Sequence, residues 1–379
     1  MSDLLTFCRD RTDDLLAELT TLVGYESFSR DKAATDQLVT YVAGQLSALG
    51  AAVERLSREH VGDLLLAKWN TGAPGKPITF LAHLDTVWPV GTLALRPVRC
   101  EDGRCYGPGA ADMKGGVVAM LGAIKALQER GEFPNRPIWA LVTPDEEIGS
   151  PYSRETIIEV GKQSGLVLVM EPGTPDGALK TWRKGVVDYT LRVTGRASHA
   201  GAAPEQGINA VVELAHQIIR LNQLNDLKNG TSVTVTMISG GHTNNVIPDH
   251  AEAYVDVRFL TQAASDRIDA AISALYPTQP GAVLEFDKGD HRPPMERDDQ
   301  MRATFAQVKA IAESIGVSVF EGGSGGGSDG NFTAAAGTPT IDGMGPTGDG
   351  LHAEHENFLI SSLVEKTALV AAILRDWEM

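Results

Sequence analysis

The sequence predicts an α/β domain built on a mostly parallel sheet, interrupted by an inserted α+β domain. Three observations carry this. Helical and strand-like segments alternate from the start to about residue 183, as they do where helices cover a sheet. From Val186 the pattern changes to strands that alternate apolar and polar residues, the mark of half-buried antiparallel strands. After the breaker-rich DHRPPMERDD (290–299) the first pattern returns. The expected boundaries are 1–183 and 295–379 for the two parts of the first domain, with 184–294 inserted between them.

In chain order, residues 3–22 and 35–49 carry apolar residues at helical spacing, and 63–70 and 77–82 are short apolar runs that read as strands. A helix follows over 116–130, a strand over 137–143, a helix near 153–161 and a strand over 166–170. In the insert, VVDYTLRVTG (186–195) is a strand and INAVVELAHQIIRLNQL (208–224) an amphipathic helix. TSVTVTMISG (231–240) and HAEAYVDVRFL (250–260) are strands, 265–276 a helix and 282–286 a strand. Strand, helix, strand, strand, helix, strand is the ferredoxin-like, split βαβ order. Helices at 300–314 and 361–377 then complete the first domain.

Composition narrows the function. The chain has 379 residues and needs no disulfide staple for its core. No apolar run approaches the roughly 18 residues of a membrane span, so no membrane association is expected. The N-terminus, MSDLLTFCRDRTDDLL, lacks the layout of a secretory signal, and a cytoplasmic location is expected. Acidic residues outnumber basic ones 49 to 33, a net charge of −16 that repels phosphate backbones, so nucleic acid is not an expected partner. Cys8, Cys100 and Cys105 form no C-x-x-C pair and are expected to be reduced and structural.

The chemistry gathers at strand ends. The 77–82 strand runs into His83-Leu84-Asp85, and side chains two apart on an extended segment share a side, so Asp85 can contact the His83 ring and fix its tautomer. Taken alone, His-x-Asp is as often a structural hydrogen bond as part of a metal site. The 137–143 strand ends in Asp145-Glu146-Glu147 and the 166–170 strand in Glu171. Ligands of open α/β sheets bind beyond such carboxyl ends. An isolated Asp-Glu-Glu is more often a solvated turn. Asp112, in the glycine-rich GPGAADMKGG, is either a helix cap or a carboxylate with both oxygens free to bridge two cations. In GLHAEHE (350–356) either His352 or His355 can join the set. Two histidines with Asp112, Glu147 and Glu171 suit zinc, with cobalt or manganese as substitutes. Two metals about 3.5–4 Å apart can hold a water whose pKa falls towards about 7. Glu146, beside a ligand, is then placed to move its proton.

HLDTV (83–87), YGPGAADMKGG (106–116), TPDEEIGS (143–150), MEP (170–172), ASHAG (197–201) and GGGSDGNF (325–332) together resemble the co-catalytic zinc metallopeptidases that include bacterial glutamate carboxypeptidase. The resemblance runs from about residue 80 to the C-terminus, and implies a zinc-peptidase catalytic domain whose insert is a lid and dimerisation domain. It implies two zinc ions per chain: His83, Asp112 and Glu171 on one, Asp112, Glu147 and His352 on the other, with Asp112 bridging. It further implies that Glu146 is the general base, that Asp85 orients His83, and that the peptide bond after Asp112 is cis. His199 would reach across a homodimer to stabilise an oxyanion. Asn245 and Arg258 would contact substrate, Arg258 as a fork for a carboxylate. By composition, the run 321–329 is a flexible linker. The resemblance makes it a nest in which the amides of Gly326, Gly327 and Ser328 receive the α-carboxylate of a substrate.

The expected activity is hydrolysis of the amide bond to a C-terminal amino acid, with glutamate the favoured leaving residue, from a small peptide or N-acyl amino acid. An N-acyl-amino-acid deacylase of the acetylornithine or succinyl-diaminopimelate type shares the mechanism and differs in its side-chain pocket. A non-catalytic amino-acid-binding protein of the same fold would lack the base or a ligand, and here all are present.

Overall fold

The computed structural model describes residues 3–378. They form two compact units. One runs to Trp182 and resumes over Arg297–Ser324 and from Ser328 onward, and the other comprises Arg183–Glu296 with Gly325–Gly327.

The first unit is organised on a six-stranded sheet in the order Ala52–Leu56, Leu64–Trp69, Ile138–Thr143, Ile78–His83, Leu166–Val169, Thr340–Ile341. The last three pairings are parallel and the first two antiparallel. Strand Ile78–His83 is buried along its whole length, as a parallel strand covered on both faces must be, which is why it is apolar except at Thr79 and the terminal His83. On one face Ile157 and Val160 of helix Arg154–Gln163 and Phe332 of helix Gly330–Ala335 pack on Leu81, Leu141 and Val167. Helices Gly115–Arg130 and Ile360–Asp376 pack on each other, and the former also on Ile78–His83.

Gly116 allows this helix to approach the sheet. A Cβ there would lie 1.8 Å from the carbonyl oxygen of Met170, so any side chain would push the helix away from the strand end that carries Glu171.

The expected first helix is two, Leu4–Arg9 and Thr12–Gly24, because Arg11 is not helical and the Thr12 hydroxyl donates to Arg9 O. Strand Glu321–Ser324, within the glycine-rich run, pairs with Leu179–Arg183. The cysteine expectation is corrected: Cys100 and Cys105 are disulfide-bonded, and Cys8 alone is free among the described residues. They face each other across the hairpin of strands Arg99–Glu101 and Arg104–Tyr106, which no apolar pattern announces. None of the described helices is long and apolar enough to cross a membrane.

The second unit is a four-stranded antiparallel sheet in the order Ser232–Gly240, His250–Phe259, Gly185–Thr194, Val283–Arg292. Helices Ala210–Asn222 and Gln262–Ser273 supply Leu214, Leu221, Ile268 and Ile272 to a core with Val187, Leu191, Val255 and Val257. The last strand runs past its expected end at 286 to Arg292, carried by backbone pairing through a register shift after Lys288 rather than by apolar residues.

Candidate active site

His83 closes its strand with its ring wholly buried. Its Nδ1 lies 3.0 Å from the main-chain oxygen of Asp85 and 3.5 Å from Asp85 Oδ1. Donation from Nδ1 leaves the Nε2 lone pair facing outward, a tautomer assigned from this bonding pattern. Nε2 meets Asp112 Oδ1 at 3.2 Å and Glu171 Oε1 at 3.5 Å. On the far side of Asp112, Oδ2 lies 3.3 Å from His352 Nε2, which is also 3.0 Å from Glu147 Oε2. Asp112 thus stands between two imidazoles, with one oxygen turned to each.

Ligand atoms of His83, Asp112 and Glu147 fall within 4.8 Å of one another, as do those of His83, Glu146 and Glu171. Glu146 and Glu147 lie on a single helical turn, Glu146–Ile148, directly after the strand Ile138–Thr143. The peptide bond Asp112–Met113 is cis. His355 is not part of this cluster: its ring packs over Gly350, where a Cβ would lie 2.6 Å from His355 Cδ2.

The electrostatics describe a carboxylate cluster that draws positive charge onto its two imidazoles. Burial opposes a charged His83, yet bonds to Asp112, Asp85 and Glu171 hold its pKa well above the ordinary histidine value. Bonds to Asp112 and Glu147 raise His352 to about 10. Burial lifts Glu147 to about 7, whereas for Asp112 the two imidazoles outweigh burial and lower it. Two imidazole nitrogens and several carboxylate oxygens in two groups joined through one aspartate fit two divalent cations of borderline softness.

The remaining candidates divide between the units. Ser328, in the first, is buried, and its amide donates to Asn331 Oδ1 at 2.9 Å. Its hydroxyl donates to Asp342 Oδ2 at 2.6 Å. The expectation of a free Ser328 amide is therefore corrected, because Asn331 three residues on already caps it. In the second unit, Arg183 Nη1 donates to the carbonyls of Gly326 and Gly327 at 3.3 and 3.1 Å. The Arg292 side chain packs on Gly327, where a Cβ would lie 2.6 Å from Arg292 Cδ. Sequence reading missed both buried arginines, since neither lies in a recognisable motif.

His199 is exposed, and its Nδ1 accepts the amides of Gly201 and Ala202 at 3.1 and 3.0 Å, which puts the ring proton on Nε2. Asn245 is its neighbour, accepting the Ala200 amide at 2.9 Å. Arg258 grips Asp256 with contacts of 2.8–3.0 Å, because residues two apart on a strand share a face.

A family model described as "Peptidase family M20/M25/M40" matches residues 79–376. Carboxypeptidase G2 of Pseudomonas sp. is 31% identical over 377 residues, covering 97% of this chain and 90% of that protein. Succinyl-diaminopimelate desuccinylase of Alkalilimnicola ehrlichii is 28% identical over 356 residues, covering 88% and 92%. Among solved structures, aminopeptidase PepT from Bacillus cereus superposes with a TM-score of 0.80 at 23% identity, covering 96% of this chain and 98% of that one. With the motif run and the two-sided Asp112 cluster in one chain, the protein belongs to peptidase family M20/M25/M40.

Proposed function

We propose that this hydrolase is a two-metal carboxypeptidase that releases a C-terminal amino acid, glutamate foremost, from a small peptide or N-acyl conjugate. The observation that supports it best is the Asp112 carboxylate, with its two oxygens 3.2 and 3.3 Å from two different imidazoles. His83, Asp112 and Glu171 would hold one zinc and Asp112, Glu147 and His352 the other, with cobalt or manganese as substitutes. When bound, such a pair supplies a water that ionises near neutral pH and a Lewis acid for the scissile carbonyl.

The chain's own groups do the rest. Glu146 takes the proton of the attacking water on a carboxylate oxygen and returns it to the leaving amine nitrogen. His199, carrying its proton on Nε2, donates to the developing oxyanion. Asn245 contacts the substrate. The amides of Gly326 and Gly327 receive its α-carboxylate, and Arg258 binds a substrate carboxylate only by exchanging it for Asp256.

We read the protein as a homodimer in which His199 serves the partner's site. Exposed Val211, Val212 and Ile219 on one helix, and Met237 and Ile238 on the edge strand Ser232–Gly240, support this reading. An apolar, unpaired edge of this kind calls for a cover.

The desuccinylase relatives support a second reading, an N-acyl-amino-acid deacylase with the same chemistry. The experiment is amino-acid release from N-acetyl-glutamate, N-benzoyl-glutamate, folate-type glutamate conjugates, acetylornithine, succinyl-diaminopimelate and neutral dipeptides, with chelator-stripped and zinc-restored protein in parallel. Zinc-dependent release of glutamate supports the first reading. Zinc-dependent turnover of the acetyl or succinyl diamino acids alone selects the second, and no turnover of any substrate overturns both.

A further inference from the structure

Glu356 is 2% exposed, yet its carboxylate is fully engaged. Oε1 accepts the amides of Ala111 and Asp112 at 3.0 and 3.2 Å. Oε2 accepts the amide of Gly109 at 3.0 Å and the indole N–H of Trp88 at 2.8 Å. Its main-chain oxygen accepts the amide of Gly107 at 3.4 Å. One residue therefore holds the loop 107–112 by both its backbone and its side chain.

The same turn carries His352. Gly350 O accepts the Ala353 amide and Ala353 O accepts the Glu356 amide, so residues 350–356 fold into one compact unit. Through it, Asp112 is held at two ends: His352 Nε2 meets its Oδ2 at 3.3 Å, and Glu356 meets its main-chain N–H at 3.2 Å. From there the strand Asn357–Leu359 pairs with Arg104–Tyr106, fastening the turn to the hairpin that leads into the Asp112 loop.

We infer that Glu356 is a positioning residue that fixes Asp112 so that its two oxygens stay aimed at His83 and His352. This rests on the two-metal reading above. The chemistry is one of acceptor count: four N–H donors converge on a group that offers only acceptors, as an ionised carboxylate does. A glutamine there keeps one acceptor oxygen and turns an NH2 against N–H donors, so part of the 109–112 loop loses its hold. The loss reaches Asp112 through its main-chain N–H, while every side chain that would contact metal or substrate is left unchanged.

The test is titration of chelator-stripped protein with Co2+, read by absorption and calorimetry, beside the melting temperature of each metal-free chain. The wild type is expected to bind two ions, and Glu356→Gln to bind at least one of them about tenfold or more weakly. Its kcat is expected to fall with little change in KM. Glu356→Asp, which keeps the acceptors on a shorter stem, should recover part of the affinity, and carries the test alone if Glu356→Gln does not fold. A chain that melts lower without metal but binds both ions with wild-type affinity overturns the inference, because that is what a merely structural role gives. A wild-type stoichiometry of one overturns the two-metal reading instead. Glu356 is then judged on that single ion, unchanged affinity in Glu356→Gln overturning the inference and a tenfold loss supporting it.

Discussion

The buried carboxylate of Asp85 accepts the main-chain N–H of Glu146 at 3.1 Å, and with its other oxygen that of Glu147 at 3.1 Å. Ser29 donates a third bond to it at 2.7 Å. The His83 ring leans mainly on the main-chain oxygen of the same residue. Asp85 therefore joins two strand ends, and its side chain sets the turn that presents the proposed base more than it sets the imidazole.

Asp85→Asn separates these tasks. The new NH2 faces at least one main-chain donor, and an unpaired buried donor costs about 1–3 kcal/mol. The expected result is a kcat about 10–100-fold lower with KM little changed, together with a lower urea midpoint for the metal-free chain. Unchanged kcat would remove Asp85 from the proposed machinery.

Glu146→Gln keeps the shape of the side chain and removes the proton acceptor. Turnover at saturating substrate is expected to fall by about 10²–10⁴-fold, the usual contribution of a positioned general base. Metal content by elemental analysis should match the wild type, because the proposed ligand set does not include this residue. Retained turnover, or loss of metal in step with activity, would reassign Glu146.

The fold was legible where side-chain period follows burial. Strand Gly185–Thr194 alternates buried and open positions, and Ile78–His83 is apolar except at Thr79 and the terminal His83 because both its faces are covered. It was illegible where backbone pairing alone makes the strand. The exposed hairpin at 99–106 and the glycine-rich Glu321–Ser324 carry no apolar pattern, and glycine composition favoured a linker. At the site, the carboxyl ends of three strands could be named in advance because neighbouring parallel strands bring their ends together. Ser29 could not be, lying 56 residues from the Asp85 it bonds. The glycine, one residue, histidine spacing of the resembling family favoured His352 over His355, and the His352 ring meets Asp112 and Glu147 while that of His355 packs on Gly350. An ion pair is the ordinary expectation for an arginine such as Arg258, and its i, i+2 spacing names Asp256 as the partner.

Thiol titration checks the cysteine correction. Cys8 is buried, and burial pushes its thiol up to about 11, so it should be silent in the native protein. In denaturant without reductant one thiol per chain should react, and after reduction all three. Three thiols without reduction would dissolve the 100–105 bridge. Run on freshly lysed, alkylated cells, the count also tests the expected location: a free pair fits a reducing compartment and a bonded pair an oxidising one.

Asp63 gives the acid limb of stability. Its side chain is nearly buried, which by itself would raise its pKa. Lys32 at 2.7 Å, the Arg58 amide at 3.0 Å and Arg55 at 2.6 Å outweigh burial and hold it well below the ordinary carboxylate range. A folded-state pKa below the unfolded value of about 3.9 means stability that is present above about pH 4 and lost as the pH falls towards the folded value. Asp63→Asn should therefore lower the metal-free chain's stability at pH 7 by about 1–3 kcal/mol. The gap between the two urea midpoints should narrow steadily from pH 4 downward, since the wild-type unfolded chain takes up a proton there that the variant cannot. A gap that stays constant, or widens in acid, would show that the ion pairs around Asp63 do not set its stabilising role.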